Sequence, residues 1–138
     1  MEQLLRTLQE TLRGAGYSMT TVRKKVFLAL LDKEPQTMRE ITTQLPEVDR
    51  ASIYRVIALF EKLHIVAKLQ MGWKYKLELT GEFGRHHHHM TCIKCGRVQV
   101  LEASRVIEDE IAKLTNESDF TATSHLLEIR GLCRNCKG

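Results

Sequence analysis

The stretch "DRASIYRVIALFEKLHIVAKLQMGWKYKLEL", Asp49 to Leu79, holds two periodicities in succession. In its first part Ile53, Val56, Ile57, Phe60 and Leu63 recur at three- and four-residue spacing, the stripe of an amphipathic helix. Asp49 stands where it can cap that helix. In its second part "IVAKLQ" and "WKYKLEL" alternate apolar and polar residues around Met71-Gly72, which predicts a β-hairpin. His64, at the junction, is placed for a left-handed residue closing the helix.

Upstream the chain reads as three more helices. Leu4, Leu5, Leu8 and Leu12 share one face of a helix over 2–13, ended by Gly14 and Gly16. Thr20 can cap a second, whose stripe is Val22, Val26, Phe27, Leu30 and Leu31. After Pro35, "TMRE" fits a capping box of Thr37 and Glu40. It opens a short helix with Met38, Ile41 and Leu45 inward, and Pro46 ends it. Helices followed by a hairpin, with a basic balance, is the order of a winged helix-turn-helix.

The charge is uneven. Residues 1–80 carry 13 Lys/Arg against 9 Asp/Glu, and residues 81–138 carry 8 against 8. An excess in the first half favours contact with a polyanion. On the fourth helix, opposite its core stripe, lie Ala51, Tyr54, Arg55 and Ala58, with Ser52 beside them. A recognition helix touches base edges with its N-terminal turns. Small residues there allow close approach, Tyr can meet a thymine methyl, and Arg can bind guanine or phosphate. The bland alternative is an ordinary surface with a half-buried Tyr. No apolar run approaches a bilayer span, and no signal-peptide pattern opens the chain. A cytoplasmic protein with no membrane partner is expected.

Beyond the loop "TGEFGR" the pattern changes. Strand-like segments cover 86–92, 97–101 and 121–132, with one helix between them that should turn Val106, Ile107, Ile111 and Leu114 inward. The expected fold is therefore α+β: a winged helix over 1–81, then a small α/β domain over 82–138.

The second domain gathers the metal-binding side chains. All four cysteines form two Cys-x-x-Cys pairs, Cys92/Cys95 and Cys133/Cys136. Four thiolates fill a tetrahedral Zn2+ and leave no open position, so the site should be structural. Disulfides or free thiols are the alternative, disfavoured in a reducing compartment. Four consecutive histidines, His86 to His89, precede the first pair. On an extended strand His86 and His88 face one way, and His87 and His89 the other. One strand then supplies two half-sites. Glu78, on the hairpin, can complete one; Glu108 and His125 can complete the other. The alternative is a solvated polar run.

"ASIYRV" (51–56), "LELT" (77–80), "HHHHMTCIKCGRV" (86–98) and "SHLLEIRGLCRNC" (124–136), with the complete cysteine set, resemble the ferric uptake regulator family. The resemblance spans nearly the whole chain. It implies a homodimeric, metal-dependent transcription factor, most often a repressor of pseudo-palindromic operators in double-stranded DNA, with an N-terminal winged helix and a C-terminal dimerisation domain. It also implies roles for residues. Cys92, Cys95, Cys133 and Cys136 match the structural zinc site. Glu78, His87 and His89 match three ligands of a regulatory site for Fe2+, Mn2+ or Zn2+. His86, His88, Glu108 and His125 match an additional metal site, with His88 where relatives often carry Asp. Tyr54 and Arg55 match the DNA-reading pair. One departure is that relatives often place a ligand His in the loop before the third helix. That position falls near Pro35, where no His stands and Glu34 is the candidate substitute.

Two other functions compete. A metallo-hydrolase could use Glu78, His87 and His89 around an open metal, but the chain has no H-E-x-x-H helix and no evident general base there. A purely structural zinc module would leave the Tyr54/Arg55 face and the basic first half unexplained. The expected protein is not an enzyme and takes no small-molecule substrate.

Overall fold

The computed structural model describes residues 1–71, 73–84, 86–122 and 125–138. Gly72 of the expected hairpin turn, Arg85 at the end of the loop, and Thr123 and Ser124 of the expected last strand lie outside the described residues. Among the described residues ten elements follow in order: α1 (Glu2–Gly14), α2 (Thr21–Leu30), α3 (Met38–Gln44), α4 (Arg50–Lys62), β1 (Val66–Met71), β2 (Lys74–Leu79), β3 (His87–Cys92), β4 (Val98–Glu102), α5 (Arg105–Glu117) and β5 (Glu128–Gly131). The chain divides into two compact units, Met1–Arg85 and His86–Gly138. Among the described residues no helix is long and apolar enough to cross a membrane.

In the first unit the caps form as their residues require. The Thr20 hydroxyl accepts from the Arg23 amide at 3.2 Å. Thr37 and Glu40 close the capping box: the Glu40 amide donates to Thr37 Oγ1 at 3.2 Å, and the Thr37 amide donates to Glu40 Oε2 at 2.6 Å. Those bonds hold the Glu40 carboxyl below the usual range. Asp49 Oδ1 accepts from the Ser52 amide at 2.9 Å. At the other end of α4, His64 takes φ +56°. The Ile65 amide then bonds the Phe60 carbonyl at 2.8 Å, and the His64 amide bonds Glu61 at 3.1 Å. These two bonds make a Schellman closure, which turns the chain directly into β1.

The hairpin is antiparallel, in register from Val66↔Leu79 to Met71↔Lys74. Its root is held by apolar burial. Leu8, Leu12, Val26, Phe27, Ile41, Ile53, Phe60, Ile65 and Leu77 are among the members of one continuous core. Phe83 closes it, its ring edge-on to Phe27 at 6.0 Å. Gln36 bridges to Leu77 and adds a short third strand position beside β2. Four helices and a β-ribbon around one core make this unit a winged helix.

The second unit is built differently. Its sheet has the order β4-β3-β5. β3 pairs antiparallel with β4, His88 opposite Leu101, and parallel with β5, Cys92 opposite Gly131. Only His88, His89, Thr91 and Cys92 are buried among its described residues. Two expectations are corrected here. Among the described residues of 121–132 a strand forms only over Glu128–Gly131, because parallel pairing with β3 begins at His89↔Glu128. The stripe of α5 is inward only in part: Ile107 and Ile111 are half-buried, no residue of the helix is fully buried, and Val106 is 78% and Leu114 55% exposed. One thin sheet and one helix leave Val106 and Leu114 of that stripe uncovered.

Candidate metal centres and nucleic-acid interface

The cysteine site follows from the sheet. The parallel pairing that sets Cys92 beside Gly131 brings the second knuckle, two residues further on, against the first. Each knuckle is a tight turn. The Gly96 amide bonds the Cys92 carbonyl at 2.9 Å, with Gly96 at φ +71°, a conformation that suits a residue without Cβ. In the second, the Cys136 amide bonds the Cys133 carbonyl at 2.9 Å.

The four Sγ atoms lie within 4.8 Å of one another, and no disulfide joins them. Cys95 Sγ and Cys133 Sγ stand 3.7 Å apart. A tetrahedral zinc with Zn–S near 2.3 Å spaces its sulfurs by roughly 3.8 Å, so the donor set fits that ion. Charge on the sulfurs is uneven. The Cys133 and Cys95 amides draw the Cys92 thiol down to about 6. Hydrogen bonding to Cys133, with burial, pushes Cys136 up to about 12. Four crowded sulfurs do not ionise together without a cation to offset them.

A second donor cluster occupies one face of β3. The ligand atoms of His86, His88, Glu108 and His125 lie within 4.8 Å of one another. α5 places Glu108 in its first turn, where the carboxylate reaches the sheet. Glu108 Oε1 lies 3.0 Å from His86 Nε2 and 2.8 Å from His88 Nε2. Burial works to raise the Glu108 carboxyl, but hydrogen bonds from His86 and His88 outweigh it and hold the group below its ordinary value. His125 Nε2 sits 3.4 Å from Glu108 Oε2, yet it is buried and makes no hydrogen bond among the described residues. A buried imidazole nitrogen left so, beside a carboxylate and two further imidazoles, suits a divalent ion.

The other two histidines point to the opposite face. His87 and His89 pack with ring centroids 4.8 Å apart, nearly perpendicular; His86 and His88 do the same at 5.0 Å. The alternation of a strand thus separates the run into two pairs. Glu78, their expected companion, is a buried residue of β2 in the first unit. Glu34 is exposed in the loop before α3.

On α4 the stripe opposite the core is open. Ala51, Tyr54, Arg55 and Ala58 are exposed, Tyr54 by 53%. Arg55 donates to the Ser52 hydroxyl at 2.9 Å, which steers the guanidinium towards the N-terminal end of the helix. The surface pairs a planar donor fork with an aromatic ring on small residues, a combination suited to a major-groove edge. Sequence reasoning treated the hairpin tip only as a connection. It carries Trp73, 86% exposed, beside Lys74. The signal available was an aromatic residue at the turn of a ribbon with lysines on both sides.

Residues 14–130 match the Ferric uptake regulator family. The ferric uptake regulation protein of Bacillus subtilis (strain 168) is 26% identical over 147 residues, covering 100% of this chain and 97% of that protein. That of Campylobacter upsaliensis is 30% identical over 143 residues, covering 96% and 88%. The structure of the Helicobacter pylori ferric uptake regulator superposes with a TM-score of 0.71 at 21% identity, over 99% of this chain and 93% of that one.

Proposed function

The chain belongs to the ferric uptake regulator family of metal-responsive transcription regulators, and from that premise we propose that it represses transcription by binding pseudo-palindromic operator DNA as a metal-loaded homodimer. The observation that carries this reading is the two-unit division of labour. One unit presents an open helix face suited to DNA, and the other holds its metal donors in place of an apolar core. The family is one of regulators rather than enzymes, so the hydrolase reading falls.

In this reading residues 1–81 bind DNA and residues 82–138 bind metal and dimerise, in the cytoplasm. Cys92, Cys95, Cys133 and Cys136 hold a structural Zn2+. His86, His88, Glu108 and His125 hold an additional ion. Glu78, His87 and His89 hold the regulatory ion, Fe2+, Mn2+ or Zn2+, as the sequence resemblance implies. The uncovered stripe of α5 supports dimerisation, because a second copy supplies the layer this unit lacks.

Metal then acts through a coupling free energy. An ion that binds one arrangement of the wing domains more tightly shifts the population towards it, and that arrangement fits two half-sites. Ser52, Tyr54 and Arg55 do the reading. The test is selection of duplexes from a random library by the metal-loaded protein. A pseudo-palindrome should emerge, bound with a steep salt dependence. Tyr54→Ala should weaken that duplex by roughly 1–3 kcal/mol and flatten preference at one base step. Equal binding of selected and scrambled duplexes by wild type would refute the assignment.

A further inference from the structure

The tip of the hairpin carries a feature that the helix face does not account for. The β1–β2 ladder runs out to Met71↔Lys74, which leaves Trp73 at the extremity of the ribbon. Its side chain is 86% exposed, the most exposed of the large apolar residues described. Lys74 Nζ lies 4.7 Å from the centre of its ring. No carboxylate pairs with Lys74 among the described residues, whereas Lys68, further down the ribbon, is 3.1 Å from Glu61. An unpaired ammonium therefore sits against a bare indole.

We propose that Trp73 is a second reading element: its indole enters the minor groove edge-on beside the half-site bound by α4, at an A·T step. This rests on the DNA-binding reading above. Three points select the occupant. The ribbon root, Ile65, Val66, Leu77 and Leu79, is buried in the same core as Ile53, Val56 and Phe60 of α4, so tip and helix face move as one body. Lys74 supplies the charge that a phosphate would meet, and at the tip it is placed to flank a groove. The indole N–H is a donor only. The floor of the minor groove offers acceptors at A·T pairs and interposes a guanine amino group at G·C pairs. A flat ring with one edge donor fits a groove about 6 Å wide.

Trp73 is the single tryptophan of the chain, so emission excited beyond the tyrosine absorption band reports on it alone. The experiment uses the full chain, metal-loaded as in the selection, and a labelled duplex bearing the selected palindrome, with A·T, G·C or inosine·C flanks. DNA anisotropy and acrylamide quenching are read together. On the A·T-flanked duplex the quenching constant should fall several-fold. Trp73→Ala should bind that duplex about tenfold more weakly, with a much smaller change on G·C flanks. Trp73→Phe should keep part of the affinity and lose the A·T preference. Inosine·C, which lacks the guanine amino group, should bind wild type as A·T does. A duplex that binds while Trp73 stays equally quenchable, with Trp73→Ala unchanged on every flank, would overturn the proposal. Failure of wild type to bind any duplex would overturn the DNA reading itself, and the wing contact with it. The tip is exposed, so an unchanged urea midpoint for both variants separates contact from folding.

Discussion

Stripping the ion from Cys92, Cys95, Cys133 and Cys136 should unfold residues 86–138 while the winged helix stays folded. The reason lies in what each unit buries. The first has a continuous apolar cluster running from Leu8 to Phe83. The second buries His88, His89, Thr91 and Cys92 among its described residues. Such a unit lacks the apolar burial that normally offsets chain entropy. Structural zinc binding is worth about 10–16 kcal/mol at neutral pH, enough to decide whether the unit folds. Cys95→Ser and Cys133→Ser should act like the chelator, because losing one thiolate leaves three anions around an under-coordinated ion. Amide exchange resolved by residue checks this. Protection should vanish from β3, β4 and β5 and persist in α2 and α4. Protection surviving in β3 after zinc is shown to be absent would sink the claim.

Glu108→Gln should abolish one metal equivalent per chain, weakening that site by more than a hundredfold. Even partners that only orient a ligand cost 10- to 100-fold when removed, and Glu108 is the single carboxylate between three imidazoles among the described residues. His87→Ala should leave the same equivalent in place, since His87 faces the other side of the strand. The pH dependence separates the groups. The folded Glu108 carboxyl lies below its ordinary value, so the stability it contributes is present above the unfolded value. That stability is lost only as pH falls through the lower folded one. Metal, by contrast, needs neutral imidazoles. Protons compete with the ion for those imidazoles, so metal affinity should fall as pH falls. Calorimetric titration of metal at pH 7.5 and 5.5, with elemental analysis, reads both effects. Unchanged stoichiometry in Glu108→Gln would remove that residue from the site.

Much of this was legible in the sequence because it depends on local rules. Thr20, Thr37 with Glu40, and Asp49 cap their helices as their spacing dictates. The two histidine pairs separate because a strand has a period of two. His64 closes α4 in the left-handed region, where its place after the stripe put it. What was not legible depends on partners distant in sequence. Extended chain looks the same in sequence whether or not it finds a ladder, and among the described residues of 121–132 the ladder with β3 covers Glu128–Gly131. The α5 stripe has the period of a core helix, but period says nothing about which body covers it. Glu108 was named as a companion of His86 and His88 from the sequence, but that one of its oxygens lies between both imidazoles needed the helix to land on one face of the sheet.

The central claim is that metal and DNA are coupled on this chain. The most direct test is anisotropy of a labelled selected duplex while iron(II), manganese(II) or zinc(II) is added anaerobically to protein that retains only its structural zinc. The account predicts weak binding at the start, and a rise in affinity of about 5- to 150-fold that saturates with the further metal equivalents. His87→Ala should flatten the rise, and Cys-bound zinc should stay constant throughout. Affinity that is the same with and without the added metal, for wild type and His87→Ala alike, would contradict it.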